Sequence, residues 1–136
     1  MVHDNEAQGI ICSLNCYNVL IENNRLSHNE KAGIMFSRNM SNSVARNNVI
    51  YNEVDGIVLS QSNNNKIYNN TISNSQYGIN LIFGSSGNTF SSNIIKNCSK
   101  YGIYSQVSNG GSNNNNNNIF YNNQLINSPS NIGKGG

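Results

Sequence analysis

Three carboxylates occupy matching positions in this chain. Glu6, Glu30 and Glu53 each stand three residues before a Gly-Ile pair, with Asp55 close behind the last of them. Like charges held on one edge raise a pKa or recruit a cation such as Ca²⁺. The alternative is a solvated edge whose charge Lys31 and Arg38 offset. Three phenols form a second group. Tyr77 and Tyr101 immediately precede a glycine, and Tyr104 lies two residues beyond Gly102. Beside Asn80, Lys100, Ser105 and Gln106, they suit a sugar: the apolar face of a pyranose packs on a phenol ring while its hydroxyls meet amides. Read as structure alone, the same tyrosines make an aromatic ladder. Cys12 and Cys16 are near enough in sequence to bridge only if the turn between them brings their α-carbons within about 7 Å. Cys98 has no evident partner, so the odd count leaves the redox compartment open.

These groups can meet only if the chain repeats itself in space. Gly-Ile recurs at Gly9-Ile10, Gly33-Ile34, Gly56-Ile57, Gly78-Ile79 and Gly102-Ile103, at intervals of 24, 23, 22 and 24 residues. A second file keeps the step. Asn24, Asn48, Asn70, Asn93 and Asn123 each precede an aliphatic residue by two: Leu26, Ile50, Ile72, Ile95 and Leu125. A third file, Ile21, Ala45, Ile67, Phe90 and Phe120, runs three residues before those asparagines. Asn131-Ile132 is expected where a sixth Gly-Ile would stand. Self-similarity at a fixed period denotes stacked units. Each period holds three short apolar–polar alternations separated by Asn, Ser and Gly, the pattern of strands joined by turns. A leucine-rich frame is absent. The expected fold is therefore all-β, a right-handed parallel β-helix of about five coils with three strands per coil. Its Ile ribs would point inward. Its asparagines would take left-handed turn geometry and bond to the same amide one coil away.

Composition agrees with a thin-cored solenoid. Hydrophobic residues make up 36% of the 136 and charged residues only 10%, while 32 are Asn and 19 are Ser. That excludes coiled coils and helical bundles, because Asn is a poor helix former. No apolar run approaches the roughly 20 residues of a membrane helix. A net charge of +2, with basic residues scattered along the chain, is too weak a field for a dedicated nucleic-acid binder. All six acids lie in residues 1–55 with four bases, giving −2; residues 56–136 carry four lysines and no acid, giving +4. The whole chain reads as one domain, residues 1–136, with an Asn- and Gly-rich loop inserted at 109–118. Val2 already occupies an aliphatic repeat position and Gly133-Lys134-Gly135-Gly136 offers no cap, so a piece of a longer solenoid is expected. Uncapped coils would favour end-to-end association.

The repeated Asn-Asn-x-Ile-x-x-Asn-x-x-x-Gly-Ile frame resembles the β-helix repeats of mannuronan (alginate) C5-epimerases and of related carbohydrate-binding and sugar-hydrolysing solenoids. Periplasmic copper-accessory β-helix proteins share it. His3-Asp4-Asn5 and the stretch from Lys31-Ala32-Gly33-Ile34 to Ser37-Arg38 look most like the epimerase branch. The resemblance implies a polysaccharide partner, uronate-containing in that branch, and an extracellular, cell-surface or periplasmic setting. Epimerisation needs a uronate carboxylate neutralised and a C5 proton removed and returned from the other face. The resemblance makes Lys31 or Arg38 the neutralising cation and His3 or a tyrosine the proton carrier. It also implies a Tyr-Gly-x-Asp-Pro-His motif one coil before His-Asp-Asn. This chain has a single proline, Pro129, followed by Ser130, and Ala32 stands where the family tends to place His. The expectation is binding by these 136 residues, with an epimerase whose catalytic coil lies upstream, or a structural surface solenoid, as the alternatives.

Overall fold

The computed structural model describes residues 1–106 and 115–132. The first coil carries β1 (Val2–His3), β2 (Ile10–Cys12) and β3 (Leu20–Glu22). The second carries β4 (Arg25–Ser27), β5 (Ala32–Ser37) and β6 (Val44–Arg46). Then come β7 (Val49–Tyr51), β8 (Asp55–Ser60) and β9 (Lys66–Tyr68), followed by β10 (Thr71–Ser73), β11 (Tyr77–Ile82) and β12 (Thr89–Ser91). The fifth coil holds β13 (Ile94–Lys96), β14 (Tyr101–Ser105) and β15 (Ile119–Tyr121), and β16 (Gln124–Ile126) and β17 (Ser130–Ile132) follow. Every strand pairs in parallel with the one three places along. This yields three sheets: β1-β4-β7-β10-β13-β16, β2-β5-β8-β11-β14-β17 and β3-β6-β9-β12-β15. The result is the expected β-solenoid.

The three apolar files close on one another inside it. Ile34, Ile57 and Ile79 of the second sheet are fully buried, as are Leu26, Ile50, Ile72 and Ile95 of the first and Ala45, Ile67 and Phe90 of the third. Phe36, Leu59 and Leu81 continue the second-sheet file two residues on, at zero exposure. Phe90 and Phe120 stack with ring centres 4.9 Å apart and planes 9° from parallel. The Gly-Ile glycines are required for closeness between coils. A β-carbon on Gly78 would lie 2.4 Å from the Gly102 carbonyl oxygen and 2.5 Å from a methyl of Ile95.

The Asn-Asn pairs divide two tasks between neighbours. At the corner from third to first sheet, the leading residue takes left-handed backbone geometry: Asn23, Asn47, Asn69, Ser92 and Asn122 have φ between 53° and 58°. Asn tolerates that region better than other residues with a β-carbon. The second asparagine then turns inward. The backbone N–H and Nδ2 of Asn48 both donate to Asn70 Oδ1 at 3.0 Å, and Asn48 Nδ2 also donates to the Ile21 carbonyl. Asn70 repeats this toward Asn93, and Asn93 toward Asn123. A second ladder, Ser43-Asn65-Asn88-Asn118, closes the corner entering the third sheet. Buried amides are tolerated here because each donor and acceptor has a partner one coil away.

Three expectations need correction. Asn131-Ile132 does not stand in for Gly-Ile: Tyr104 pairs with Asn131, Ser105 with Ile132, and Ser130 takes the place opposite Ile103. The expected loop at 109–118 is shorter at its far end. Residues 109–114 lie outside the described residues, but Asn115 is buried and accepts from the Ser85 N–H, while Asn118 joins the second ladder. Glu6, Glu30 and Glu53 do not share an edge. Glu53 has a single two-residue spacer before Gly56, whereas Asn29 has three before Gly33, so Glu53 falls into register with Asn29. Its Oε2 accepts from the Asn29 N–H and its Oε1 from Asn29 Nδ2, both at 2.8 Å. It is 5% exposed, a rung in the file Asn5-Asn29-Glu53-Ser75, while Glu6 and Glu30 stay in solvent.

Candidate functional site

The second sheet is built differently from the other two. Strands β5, β8 and β11 run six residues, against three for those of the third sheet. Two outward files therefore fit side by side. One reads Ala32, Asp55, Tyr77, Tyr101 and the other Met35, Val58, Asn80, Tyr104, in register across β5, β8, β11 and β14. Parallel pairing at roughly 4.8 Å per rung brings neighbours within side-chain reach.

At one end of this face the expected tyrosines converge. Ring centres of Tyr77 and Tyr101 are 6.2 Å apart, and both lie 5.4 Å from Tyr104. All three are half-buried, leaving ring surface open. The Lys100 ammonium lies 5.3 Å from the Tyr77 ring centre, within cation–π range. Asn80 Nδ2 donates to Asp55 Oδ2 at 3.4 Å. The remaining oxygens of that pair, Asp55 Oδ1 and Asn80 Oδ1, are shielded from solvent and lack a hydrogen-bond partner. Burial pushes the Asp55 carboxyl above its ordinary value, with the Asn80 hydrogen bond and the charge of Lys100 pulling partway back.

Asp55 also borders a depression of about 280 Å³. Its floor is apolar: Ala32, Met35, Val54, Val58 and Ile82. Its polar residues are Gln8, Glu30, Lys31 and Asp55. Gln8 Nε2 donates only to the Met35 sulfur, at 3.4 Å, a weak acceptor. Thus Glu30 and Asp55, grouped by sequence as cation ligands, line one hollow together with Lys31, and Asp55 joins it to the tyrosines.

The residues assigned to uronate chemistry do not converge. Lys31 precedes β5 and Arg38 follows it, so the six-residue strand holds them roughly 20 Å apart. His3 lies on β1 in the first sheet, with Nδ1 2.6 Å from Asp4 Oδ2. Among the described residues no three His, Cys, Asp or Glu side chains gather as cation ligands, so the Ca²⁺ expectation has no assembled site around Glu6, Glu30, Glu53 and Asp55. Cys12, Cys16 and Cys98 are free thiols. Burial raises the pKa of Cys12, helped by Cys16, and that of Cys98.

Sequence reasoning missed two features. Gln8, Met35, Val58 and Ile82 looked like ordinary repeat positions; only the outward register of the long strands distinguishes them. On the first sheet, Arg25 lies 4.9 Å from the Tyr51 ring centre and His28 meets Tyr51 edge-on at 6.0 Å. Hydrogen bonds from Ser27 and Arg25 lower the Tyr51 pKa. Arg25, Ser27 and Tyr51 sit at strand positions whose neighbours carry the core, a hint available only once inward and outward positions are known.

Comparison with known proteins places the fold. No curated protein sequence matches this chain. Among solved structures, the crystal structure of an alginate lyase from Paenibacillus sp. str. FPU-7 superposes with a TM-score of 0.61 at 16% sequence identity. The match covers 71% of this chain and 35% of that one, so the chain spans about a third of the lyase's length. The family described as "Right handed beta helix region" matches residues 1–135. With its stacked parallel sheets and in-register ladders, the chain belongs to the right-handed β-helix family.

Proposed function

We propose that the outer face of the second sheet binds a polysaccharide, and that these 136 residues act by binding rather than by turnover. The observation that carries this reading is the cluster Tyr77, Tyr101 and Tyr104, three half-buried rings within 6.2 Å of one another and flanked by amide, carboxylate and ammonium. Stacked rings with polar groups at their margin match the two-sided chemistry of a pyranose. The separation of His3, Lys31 and Arg38 argues against a complete proton-transfer site. A likeness to a lyase whose title names a polysaccharide adds support at the level of substrate class. A polysaccharide partner in turn suits an extracellular, cell-surface or periplasmic setting.

Proton NMR of oligosaccharides mixed with the folded chain in D₂O tests the reading. Broadened sugar resonances, lost in the Tyr77→Ala/Tyr101→Ala variant, are the expected result. Loss of the H5 signal of oligomannuronate with growth of guluronate peaks would replace binding by epimerisation. Unaltered spectra with every glycan would leave a structural solenoid.

A further inference from the structure

The depression beside the tyrosines is a second part of the same surface. It draws on the first four coils, through Gln8, Ala32, Asp55 and Ile82, while the rings belong to the fourth and fifth. The centres of the two features are about two rungs apart along the solenoid axis, or roughly 10 Å. That is the advance of a pair of linked pyranose rings, so a glycan lying along the axis meets both.

Charge and hydrogen-bonding capacity then select the glycan. The four ionisable groups along the strip, Glu30, Lys31, Asp55 and Lys100, sum to zero. A polyuronate carries one negative charge per ring and calls for a positive track, which this face lacks. At the join between the two features lies Asp55, half-buried and lining the depression. Its Oδ1 and Asn80 Oδ1 are unpaired and shielded from solvent, so a ligand donor reaches them only once these side chains turn outward. Turning the Asn80 amide over would set its oxygen against the Asp55 carboxylate, so the arrangement with Nδ2 toward Asp55 is the favoured one. A ligand at this join must bring donors. Next to it, the floor of the depression is apolar and accepts a methyl group. Gln8, whose amide N–H rests on a thioether sulfur, is free to exchange that contact for a carbonyl oxygen.

Donor, methyl and carbonyl in one small substituent describe an N-acyl group. Resting on the polysaccharide-binding reading above, we infer that the face takes a neutral glycan bearing N-acylated amino sugars. One ring lies on the tyrosines and an acyl group fills the depression, its N–H toward Asp55 and its carbonyl toward Gln8. A 6-deoxy sugar offers the methyl without the donor, and a plain hexose the donor without the methyl.

Isothermal titration calorimetry with three oligomers of equal length decides it: N-acetylglucosamine, glucose in the cello series, and mannuronate. The expected order places the N-acetyl oligomer at least tenfold above the cello oligomer, and the mannuronate weakest. Added salt should leave the first two unchanged. Gln8→Ala should bring the affinity for the N-acetyl oligomer down toward that for the cello oligomer, and Asp55→Ala should weaken both neutral ligands with the β-sheet circular dichroism retained. Equal affinity for acylated and plain oligomers overturns the inference but not polysaccharide binding. The same holds for mannuronate binding that is tightest and salt-sensitive. No heat with any of the three overturns both.

Discussion

Along the inner side of the second sheet one file reads Ile10, Ile34, Ile57, Ile79, Ile103; along its outer side, one residue later, the file reads Ile11, Met35, Val58, Asn80, Tyr104. The two files share a backbone and differ only in what they face. Inside, each residue packs on its own equivalent one coil away, so a good solution in one coil is a good solution in all. Outside, nothing enforces sameness, and the side chains drift from apolar to amide to phenol along the axis. Repetition therefore reports stability, and its loss on an otherwise regular face marks where the molecule can recognise something.

Substitutions on the two sides should separate cleanly. The largest effect belongs to the inner ladders. Asn70→Ala would strand the Asn48 N–H and Nδ2 donors and the Ala45 carbonyl. At about 1–3 kcal/mol for each buried group left unpaired, a loss of about 4 kcal/mol is expected in chemical denaturation. A loss below 1 kcal/mol would mean that the amide ladder is ornamental. Gly78→Ala comes next, at about 1–3 kcal/mol, because its β-carbon would meet the backbone of the next coil, which has no free rotamer to yield. On the outer side, Tyr77→Ala/Tyr101→Ala should cost about 2 kcal/mol, from lost ring burial and ring pairing, while abolishing glycan binding. A collapse of the fold in that variant would erase the distinction between the two sides.

The smallest effect concerns pH. Burial raises the Glu53 pKa, and its bonds to Asn29 pull it only partway back. A carboxyl whose folded pKa exceeds its unfolded value adds stability at pH below the unfolded value. That contribution disappears as pH rises through the folded pKa. Asp55 acts in the same direction. The melting temperature should thus climb modestly as pH falls from neutral into the carboxylate range, and Glu53→Gln should flatten part of the climb. An unchanged slope in Glu53→Gln would assign the effect to Asp55 alone.

The same contrast explains what could be read in advance. The Gly-Ile, Asn and third-sheet files were legible because each inward position carries the same constraint in every coil. The three tyrosines were legible for a related reason: Tyr77 and Tyr101 occupy one register position. Glu53 misleads because it stands as far before Gly56 as Glu30 does before Gly33, while coil length changes by one residue in just that stretch. Counting cannot tell on which side of a carboxylate the residue was removed. Hydrogen-bonding demand can: Asn29 needs an acceptor one coil on, and Glu53 supplies it. Asn115 was hidden inside a run of six identical residues, where composition suggests a loop and only the orphaned N–H of Ser85 identifies the one that is needed. The depression was out of reach because Met35, Val58 and Ile82 are chemically suited to either side of the sheet.

The pairing of every strand with the one three places along also sets the order in which the molecule can assemble. Ladder partners are separated by 22 to 30 residues, as between Val49 and Thr71 or Ile94 and Gln124. No sheet can begin from a hairpin, and a chain emerging from a ribosome has nothing to pair with until a full coil has followed the first. Once two coils have closed, each later one finds its template already laid down, with an Asn rung and an Ile rib waiting at known places. Growth is then a copying of one edge onto the next, from whichever pair of coils closes first, and the costly event is that first closure.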